Sequence, residues 1–343
     1  MSKDDDFYMS LALKQAKKGL GYTSPNPLVG AVIVKNNKIL SRGYHKQIGK
    51  EHAEINAINK LNKNKIKGAT LYVNLEPCSH YGKTPPCTDA IKKSGIKKVI
   101  ISNRDPDKRV NGLKILKKAG IQVKKGIIEN EAKKINSLYF FNKKNNRPYI
   151  VLKAALSLDG KIATFKGDSK WISNKKCREI VHKLRLRLKA IAIGKNTIIT
   201  DNPKLNCRLK KFENKPVDKL IFCNSNINLN SIAPNPGKIF IIDKNISTSK
   251  KNFIDFCNEN EIDSILVEGG GEVYTWFLEN NLVDRIFLFY KPAFIGNYGI
   301  PIFTKKGMDF IKNLKDFKVI KTEIIENNIL IELSNGEPVC LLD

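Results

Sequence analysis

The sequence predicts two α/β domains in a single chain, and three observations carry this prediction. A chain of 343 residues most often folds as two domains, and with 41% hydrophobic residues each half can bury a core. Strand-like and helix-like stretches alternate along both halves, which is typical of an α/β layer fold. A polar stretch at residues 142–147 separates the two alternating regions. We therefore expect one domain at residues 1–146 and a second at residues 147–343.

The first half opens with a helix and a hairpin. A helix is predicted at residues 4–19, with the apolar positions Phe7, Leu11, Leu13 and Ala16. The pair Asn36-Asn37 lies between two apolar runs, which predicts a hairpin of strands at residues 28–34 and 38–41. Further predicted helices cover residues 52–61, 88–94, 113–119 and 130–141, and further strands cover residues 69–75 and 97–102.

The second half restarts with a strand at residues 149–156. A helix capped by Ser173 or Asn174 follows and runs to residue 188. After strands at residues 191–194 and 265–267, Gly269-Gly270-Gly271 leads into a helix through residue 278. Such a glycine run can cradle a phosphate at the helix N-terminus, and it is equally typical of a tight turn with a positive φ. It is not G-x-G-x-x-G on the first strand, so we do not expect a Rossmann fold.

The side chains that carry chemistry are His52, Cys78 and Cys87, with Glu54 beside them. Zinc takes nitrogen and sulfur ligands, and a catalytic zinc keeps its fourth position for water, whose pKa it lowers toward neutrality. Glu54 is not needed as a ligand and can carry a proton from that water to a leaving amine. H-x-E followed by P-C is typical of zinc nucleobase deaminases, although eight residues separate the cysteines here where that pattern has two.

The predicted elements bring these ligands together. His52 and Glu54 open one helix, Cys87 opens another just after Pro85-Pro86, and Cys78 follows a strand. The positive end of a helix favours thiolates and anions. We therefore expect the three ligands to converge at two helix N-termini.

Composition limits the other function classes. The net charge of +28 invites a nucleic-acid hypothesis, but Lys is spread along the whole chain beside Asn and Ile, which is what A/T-rich codons produce. We therefore expect no nucleic-acid partner.

The acidic N-terminus lacks a secretory signal and no apolar run is long enough to span a membrane, so we expect a cytoplasmic protein without a membrane partner. Seven scattered cysteines do not indicate a disulfide framework.

The motifs of both halves resemble one family. Residues 24–30 (SPNPLVG), 43–45 (GYH), 52–54 (HAE) and 75–87 (LEPCSHYGKTPPC) closely resemble the riboflavin-biosynthesis deaminase, which many bacteria fuse to a reductase. Residues 156–163 (LSLDGKIA), 171–173 (WIS), 194–197 (GKNT), 201–208 (DNPKLNCR) and 267–271 (VEGGG) are similar to that reductase. The resemblance implies a cytidine-deaminase-like three-layer α/β/α domain followed by a dihydrofolate-reductase-like α/β domain.

The resemblance also implies roles for individual residues. It implies one zinc per chain at His52, Cys78 and Cys87, with Glu54 as the proton carrier. The implied NADPH contacts are Ala155, Trp171, Thr197, Asp201, Ser225, Gly270, Gly271, Glu272, Val273, Tyr274, Thr275 and Trp276. The implied substrate contacts are Ser169, Arg185, Leu205, Arg208 and Glu268, and the arginines suit a ribose phosphate because their planar fork matches an anion.

The resulting hypothesis is a two-step enzyme acting on a phosphorylated pyrimidine. The first domain deaminates 2,5-diamino-6-ribosylamino-4(3H)-pyrimidinone 5′-phosphate, and the second reduces the ribosyl chain with NADPH. Lys153 and Glu268 are candidates to polarise the reducible bond, and Ser79, His80 and Lys83 are expected to face the first substrate. A homo-oligomer is expected.

Two other functions stay open from the sequence. The first is a zinc nucleic-acid base deaminase with an accessory domain. The second is a non-enzymatic zinc-binding module, in which His45 or His80 would supply a fourth protein ligand.

Overall fold

The structure is a computed structural model that describes residues 3–82, 85–170, 172–224, 236–305, 311–313 and 315–342. Lys83, Trp171 and Ser225, which the sequence analysis singled out, lie outside these ranges. The chain divides into two compact units, residues 1–145 and 146–343. Within the described part of the chain, every helix is too short or too polar to cross a membrane.

The first unit is built on a five-stranded sheet in the order β2-β1-β3-β4-β5. Strand β1 runs antiparallel to β2 and β3, while β3, β4 and β5 are parallel. The strands are β1 (Gly30–Lys35), β2 (Lys38–Tyr44), β3 (Thr70–Leu75), β4 (Lys98–Asn103) and β5 (Gln122–Lys124). The helices are α1 (Lys3–Ala16), α2 (Ala53–Ile58), α3 (Lys63–Ile66), α4 (Cys87–Ser94), α5 (Gly112–Lys118), α6 (Glu129–Ile135) and α7 (Ser137–Asn145).

Helices cover both faces of this sheet, which confirms the predicted α/β/α layers. Because strand side chains alternate between faces, Ile33 packs with the helices α2, α4 and α5 in one apolar cluster. Its neighbour Val32 packs with Met9 and Ala12 of α1 in another. The predicted hairpin is also confirmed, since Asn36 and Asn37 both take the positive φ that a tight turn requires.

Two details of the first unit differ from the prediction. Phe7, one of the apolar positions of the predicted helix, is 57% exposed, and the helix α1 turns Tyr8, Met9 and Ala12 inward. The single helix at residues 130–141 is wrong. It is broken at Asn136, whose buried side-chain amide bonds both the N–H and the carbonyl of Leu28.

The second of these helices, α7, continues to Asn145. The polar residues 142–145 are therefore its last turn and not a linker. Residues 142–145 are polar because they form the solvent-facing end of this helix.

The second unit is built on an eight-stranded sheet in the order β10-β9-β8-β11-β6-β12-β15-β14. The first six strands in this order, from β10 across the sheet to β12, are parallel to one another. Strand β15 runs antiparallel to both of its neighbours, β12 and β14. Strands β13 and β7 pair separately. The strands are β6 (Tyr149–Ser157), β7 (Lys161–Ala163), β8 (Ala190–Gly194), β9 (Asp218–Phe222), β10 (Ile239–Ile242), β11 (Ser264–Gly269), β12 (Arg285–Lys291), β13 (Ile300–Pro301), β14 (Lys318–Ile325) and β15 (Asn328–Ser334). The helices are α8 (Lys175–Arg187), α9 (Lys195–Asp201), α10 (Lys244–Ser247), α11 (Lys250–Glu259) and α12 (Gly271–Glu279).

The central parallel strands of this unit end side by side. The residue that caps α8 is Asn174, whose side chain accepts from the N–H of Cys177, and not Ser173. Strand β8 passes directly into α9, and β11 passes into α12. In parallel α/β sheets, ligands bind beyond the carboxyl ends of such strands. These ends therefore mark where a site is expected.

Candidate metal centre and cofactor cavity

His52, Cys78 and Cys87 form a compact ligand group in the first unit. His52 is the N-cap residue of α2, Cys87 is the first residue of α4, and Cys78 follows β3. The Nδ1 of His52 lies 3.3 Å from the Sγ of Cys87 and 3.5 Å from the Sγ of Cys78. Zn–N and Zn–S bonds in a tetrahedral site separate the ligand atoms by about 3.5–3.8 Å. The donors and their spacing therefore fit zinc.

This group contains three protein ligands among the residues that the structure describes. His45 is not one of them, because its Nδ1 lies 3.1 Å from the carbonyl of Glu51 and its Nε2 lies 3.2 Å from the side-chain amide of Asn26. Its ring packs edge-on against that of His52. A structural zinc site closes with four protein ligands, so this arrangement fits an open catalytic site better.

Glu54 lies in the first turn of α2 and is 3% exposed. Its Oε2 has no hydrogen-bond partner among the residues that the structure describes. Burial raises the pKa of this carboxyl to about 7, although the nearby His52 opposes the shift. A carboxyl that is buried beside a ligand group, and has a free oxygen, is suited to accept and return a proton.

Cys78 and Cys87 interact so that one of the two thiols loses its proton easily while the other keeps it. The hydrogen bond from Cys87, helped by His52, lowers the pKa of Cys78 to about 4, and the N–H of Cys87 lies 3.3 Å from the Cys78 sulfur. The interaction with Cys78, together with burial, raises the pKa of Cys87. One thiolate therefore forms easily, and the second proton leaves only when a cation compensates the charge.

The segment after β4 is fastened to the Cys78 region by contacts that sequence reasoning missed. The buried carboxylate of Glu76 accepts from the N–H of Leu113 at 2.9 Å, at the start of α5. The hydroxyl of Ser79 accepts from the N–H of Asn111 at 2.7 Å. A Cβ at Gly112 would clash with the carbonyl of Pro77, so glycine is required there. Glu76 thus positions the segment that carries Cys78.

The second unit contains a cavity of about 720 Å³ at the carboxyl ends of β8 and β11. Most residues of the expected cofactor and substrate sets line it. From the cofactor set these are Ala155, Thr197, Asp201, Gly270, Gly271, Glu272, Val273, Tyr274 and Trp276. From the substrate set they are Ser169, Arg185, Leu205 and Glu268.

Two of the expected residues that the structure describes do not line this cavity. Thr275 is buried, and its hydroxyl bonds the carbonyl of Gly271 at 2.7 Å and the N–H of Thr304 at 3.0 Å. Arg208 is exposed, and its Nε lies 3.3 Å from the side chain of Asn206. In this conformation Thr275 supports the start of α12 from within, and Arg208 points to solvent.

The triple glycine serves both a turn and the cavity wall. Gly270 has a φ of +78°, which favours glycine. A Cβ at Gly271 would lie 2.9 Å from the carbonyl oxygen of Pro301, so packing requires glycine at this position. At Gly270 the nearest atom to such a Cβ is the Thr197 hydroxyl, at 3.4 Å. Gly270 therefore presents backbone to the cavity, while Gly271 is packed against the chain.

Arg185 and Glu268 form a buried ion pair at the cavity. The Nε and Nη2 of Arg185 donate to the two Glu268 oxygens at 2.6 and 2.8 Å, and Nη1 donates to the carbonyl of Asn206 at 2.9 Å. Burial would raise the pKa of Glu268, but Arg185 outweighs it and the pKa lies below its usual value. In this conformation the Arg185 fork already holds Glu268, and contact of Arg185 with the substrate stays a prediction.

Two lysines lie close to this ion pair. Lys153 lines the cavity, and burial lowers its pKa although Glu268 opposes the shift. Lys215, which the sequence analysis did not identify, donates to the carbonyls of Arg185 and Leu188 at the end of α8.

Family comparisons cover both units. The RibD C-terminal domain family matches residues 148–330, and the family of the cytidine and deoxycytidylate deaminase zinc-binding region matches residues 2–103. These matches confirm the cytidine-deaminase-like fold expected of the first half and the dihydrofolate-reductase-like fold expected of the second. They also place His52, Cys78 and Cys87 inside a region known for zinc binding.

Similar proteins span nearly the whole chain. The riboflavin biosynthesis protein RibD of Aquifex aeolicus is 40% identical, over 94% of this chain and 95% of that protein. A diaminohydroxyphosphoribosylaminopyrimidine deaminase/5-amino-6-(5-phosphoribosylamino)uracil reductase from Thermotoga maritima is 36% identical, with a TM-score of 0.81 over 96% of this chain and 98% of that one. Acinetobacter baumannii RibD is 30% identical, with a TM-score of 0.83 over 97% of this chain and 99% of that one.

Proposed function

The chain belongs to the RibD family of riboflavin-biosynthesis enzymes, which combine a deaminase and a reductase, and on this premise we propose the substrates and the residues of each step. The first substrate is 2,5-diamino-6-ribosylamino-4(3H)-pyrimidinone 5′-phosphate, which loses its 2-amino group as ammonia. The product, 5-amino-6-(5-phosphoribosylamino)uracil, is then reduced to 5-amino-6-(5-phosphoribitylamino)uracil with NADPH. The two activities are assigned to residues 1–146 and 147–343.

The deaminase step uses His52, Cys78 and Cys87 as ligands of one zinc ion. When bound, zinc lowers the pKa of a water molecule toward neutrality. Glu54 takes a proton from the attacking water and returns it to the departing amine, which leaves as ammonia while the ring carbon gains a carbonyl oxygen. The free Oε2 of Glu54 and its raised pKa support this role.

The reductase step uses the cavity of the second unit. NADPH supplies the hydride when bound, and the backbone at Gly269–Gly271 with the N-terminus of α12 would hold its phosphate or ribose. The hydride goes to C1′ of the ribosyl chain, and Lys153 is the candidate to polarise the reducible bond or to protonate its heteroatom, since it lines the cavity and burial lowers its pKa. Arg185 fixes Glu268 in one orientation, so Glu268 acts as a fixed negative group whose charge favours the protonated form of Lys153.

The observation that carries the proposal is the ligand group with a buried, unligated Glu54 in the same chain as a cofactor-sized cavity. A zinc-binding module without activity needs neither the free carboxyl nor the cavity. The experiment incubates purified protein with the diaminopyrimidine phosphate, with and without NADPH, and identifies the products by mass. We expect the deaminated compound without NADPH and the ribityl compound with it. Unchanged substrate under both conditions would refute the proposal.

A further inference from the structure

Residues 202–208 form an irregular segment between α9 and β9 that carries two of the expected substrate contacts, Leu205 and Arg208. Leu205 is buried and lines the cavity, whereas Arg208 is exposed. The backbone of this segment is strained, because Asn202 has a φ of +41° and Leu205 has a φ of +44°. Such a conformation is uncommon for a bulky side chain, and it persists only where the surrounding structure holds it. The segment therefore depends on contacts from outside.

One face of α8 supplies such contacts. His182 and Arg185 are three residues apart on this helix, so their side chains lie on the same face. The Nη1 of Arg185 donates to the carbonyl of Asn206 at 2.9 Å. The N–H of Arg208 donates to the Nδ1 of His182 at 3.3 Å, and the Cys207 sulfur lies 3.6 Å from the His182 carbonyl. Three consecutive residues of the segment are thus held by two residues of α8.

The bond from the Arg208 N–H requires a neutral imidazole, since only a ring nitrogen without a proton can accept. Burial lowers the pKa of His182 to about 4, and the positive charges of Arg185 and Arg208 act in the same direction. Glu268 and the carbonyl of Asn206 oppose this shift more weakly. The ring is therefore uncharged near neutral pH and keeps an acceptor for the Arg208 N–H.

His182 and Arg185 hold different parts of the segment. The Arg185 fork is occupied by Glu268, and its remaining contact fixes the carbonyl of Asn206. The N–H that His182 accepts belongs to Arg208 itself, and the position of this backbone group sets where the Arg208 side chain starts. Loss of the imidazole would therefore release the segment at Arg208, while the contact of Arg185 with Asn206 stays in place.

We propose that His182 is a positioning residue of the reductase, which acts through the backbone of Arg208. Its imidazole holds the segment so that Leu205 forms part of the cavity wall and Arg208 is available to the substrate. His182 itself touches neither substrate nor cofactor in this role. The inference rests on the proposed function, because Leu205 and Arg208 are expected to contact the compound that is reduced.

The kinetic test uses the full chain and two substitutions of His182. His182→Leu has a similar volume but no acceptor, whereas His182→Asn restores one, because Oδ1 of Asn and Nδ1 of His are both bonded to Cγ. For His182→Leu we expect the KM for 5-amino-6-(5-phosphoribosylamino)uracil to rise by on the order of tenfold. The kcat and the KM for NADPH should stay within about twofold, since a loss of substrate binding alone raises KM alone. His182→Asn should return the substrate KM close to that of the wild type.

Val181→Ala is the matched control. Val181 is the buried neighbour of His182 on α8, and successive residues of a helix point in different directions. Truncation of a buried side chain destabilises the same turn of the helix but leaves the acceptor for Arg208 in place. The substrate KM of this control should equal that of the wild type, whereas a purely structural role of His182 would make the two positions behave alike.

Amide hydrogen exchange tests the contact without any substrate. The Arg208 amide should exchange on the order of tenfold faster in His182→Leu than in the wild type, and His182→Asn should restore its protection. Exchange within β6 and β8 shows whether each variant is folded. If His182→Leu does not fold, His182→Gln takes its place, because the side-chain oxygen of Gln lies one bond beyond the position of Nδ1.

Four outcomes would overturn the inference: equal exchange of the Arg208 amide in the wild type and the variant without the acceptor, an unchanged substrate KM in that variant, a raised KM that His182→Asn does not restore, or an equal rise in Val181→Ala. A wild type that does not reduce the compound at all would refute the proposed reductase function and the role of His182 in it. The exchange experiment distinguishes this failure from a missing contact, since it needs no activity.

Discussion

Arg185→Met leaves the Glu268 carboxylate in its buried position without the guanidinium that holds it. Both side chains of the pair are largely buried, with 11% and 8% of their surface exposed. The variant removes two hydrogen bonds to Glu268 and one to the carbonyl of Asn206. Methionine fills a similar volume, so the loss of stability comes mainly from the missing charge and hydrogen bonds. Removal of one partner from a buried ion pair typically destabilises a protein by about 3–5 kcal/mol.

The destabilisation has a definite pH dependence. In the wild type Arg185 keeps the pKa of Glu268 below its ordinary value, so the carboxylate contributes stability that is lost as the pH falls through that pKa. In the variant, burial raises the pKa of Glu268 and only weaker contributions from Lys153 and His182 oppose it. The pH dependence of the Glu268 contribution to stability therefore reverses in the variant, since a charged, unpaired carboxylate costs stability as the pH rises. We therefore expect a larger loss at neutral pH than at mildly acid pH.

Tryptophan fluorescence isolates the second unit, because both tryptophans of the chain, Trp171 and Trp276, belong to it. The assay is urea unfolding followed by this signal, together with reduction of the deaminated intermediate by NADPH per folded molecule. Arg285→Met is the matched control, since Arg285 forms a comparably buried pair with Glu332 that does not line the cavity. Both variants should lose stability, but only Arg185→Met should lose reduction. An Arg185→Met protein as stable as the wild type, or a parallel loss of reduction in Arg285→Met, would refute the reasoning.

Three further outcomes are expected. Glu54→Gln should keep zinc and reduction but lower ammonia release by on the order of 10²–10⁴-fold, and near-normal release would mean that another group carries the proton. Gly270→Val should weaken NADPH binding, measured by titration, whereas Gly296→Val should not, because Gly296 also has a positive φ but a Cβ there meets nothing within 4 Å; equal affinities would locate the cofactor elsewhere. Chelation of a protein that holds one zinc per chain should stop ammonia release and leave reduction intact, and a metal-free protein that still deaminates would contradict the zinc assignment.

The metal centre could be predicted from the sequence because its information is local. His52 and Glu54 open a helix, Pro86 precedes Cys87, and a strand delivers Cys78, so each ligand is positioned by its own neighbours. The helix start at Cys87 is visible in the sequence as Pro85-Pro86. Convergence of the three ligands then follows from the α/β pattern.

Contacts between residues that are far apart in the sequence could not be predicted in this way. Arg185 was expected to contact substrate, but its ion-pair partner Glu268 is 83 residues away, so no local pattern could predict this pair. Asn136 breaks a helix because it bonds Leu28, which is 108 residues away. Glu76 and Lys215 bond backbone groups of other segments. No local pattern marks such residues, because their role depends on which backbone groups the fold leaves without partners.

The central claim is that one chain first deaminates and then reduces the same molecule. The most direct test is a single incubation of the wild-type chain with the diaminopyrimidine phosphate in oxygen-18 water, with NADPH deuterated at the transferred position. The account predicts a ribityl product that carries one oxygen-18 from the hydrolytic step and one deuterium from the reductive step. A product with deuterium but without oxygen-18, or a deaminated product that never gains deuterium while NADPH is present, would contradict it.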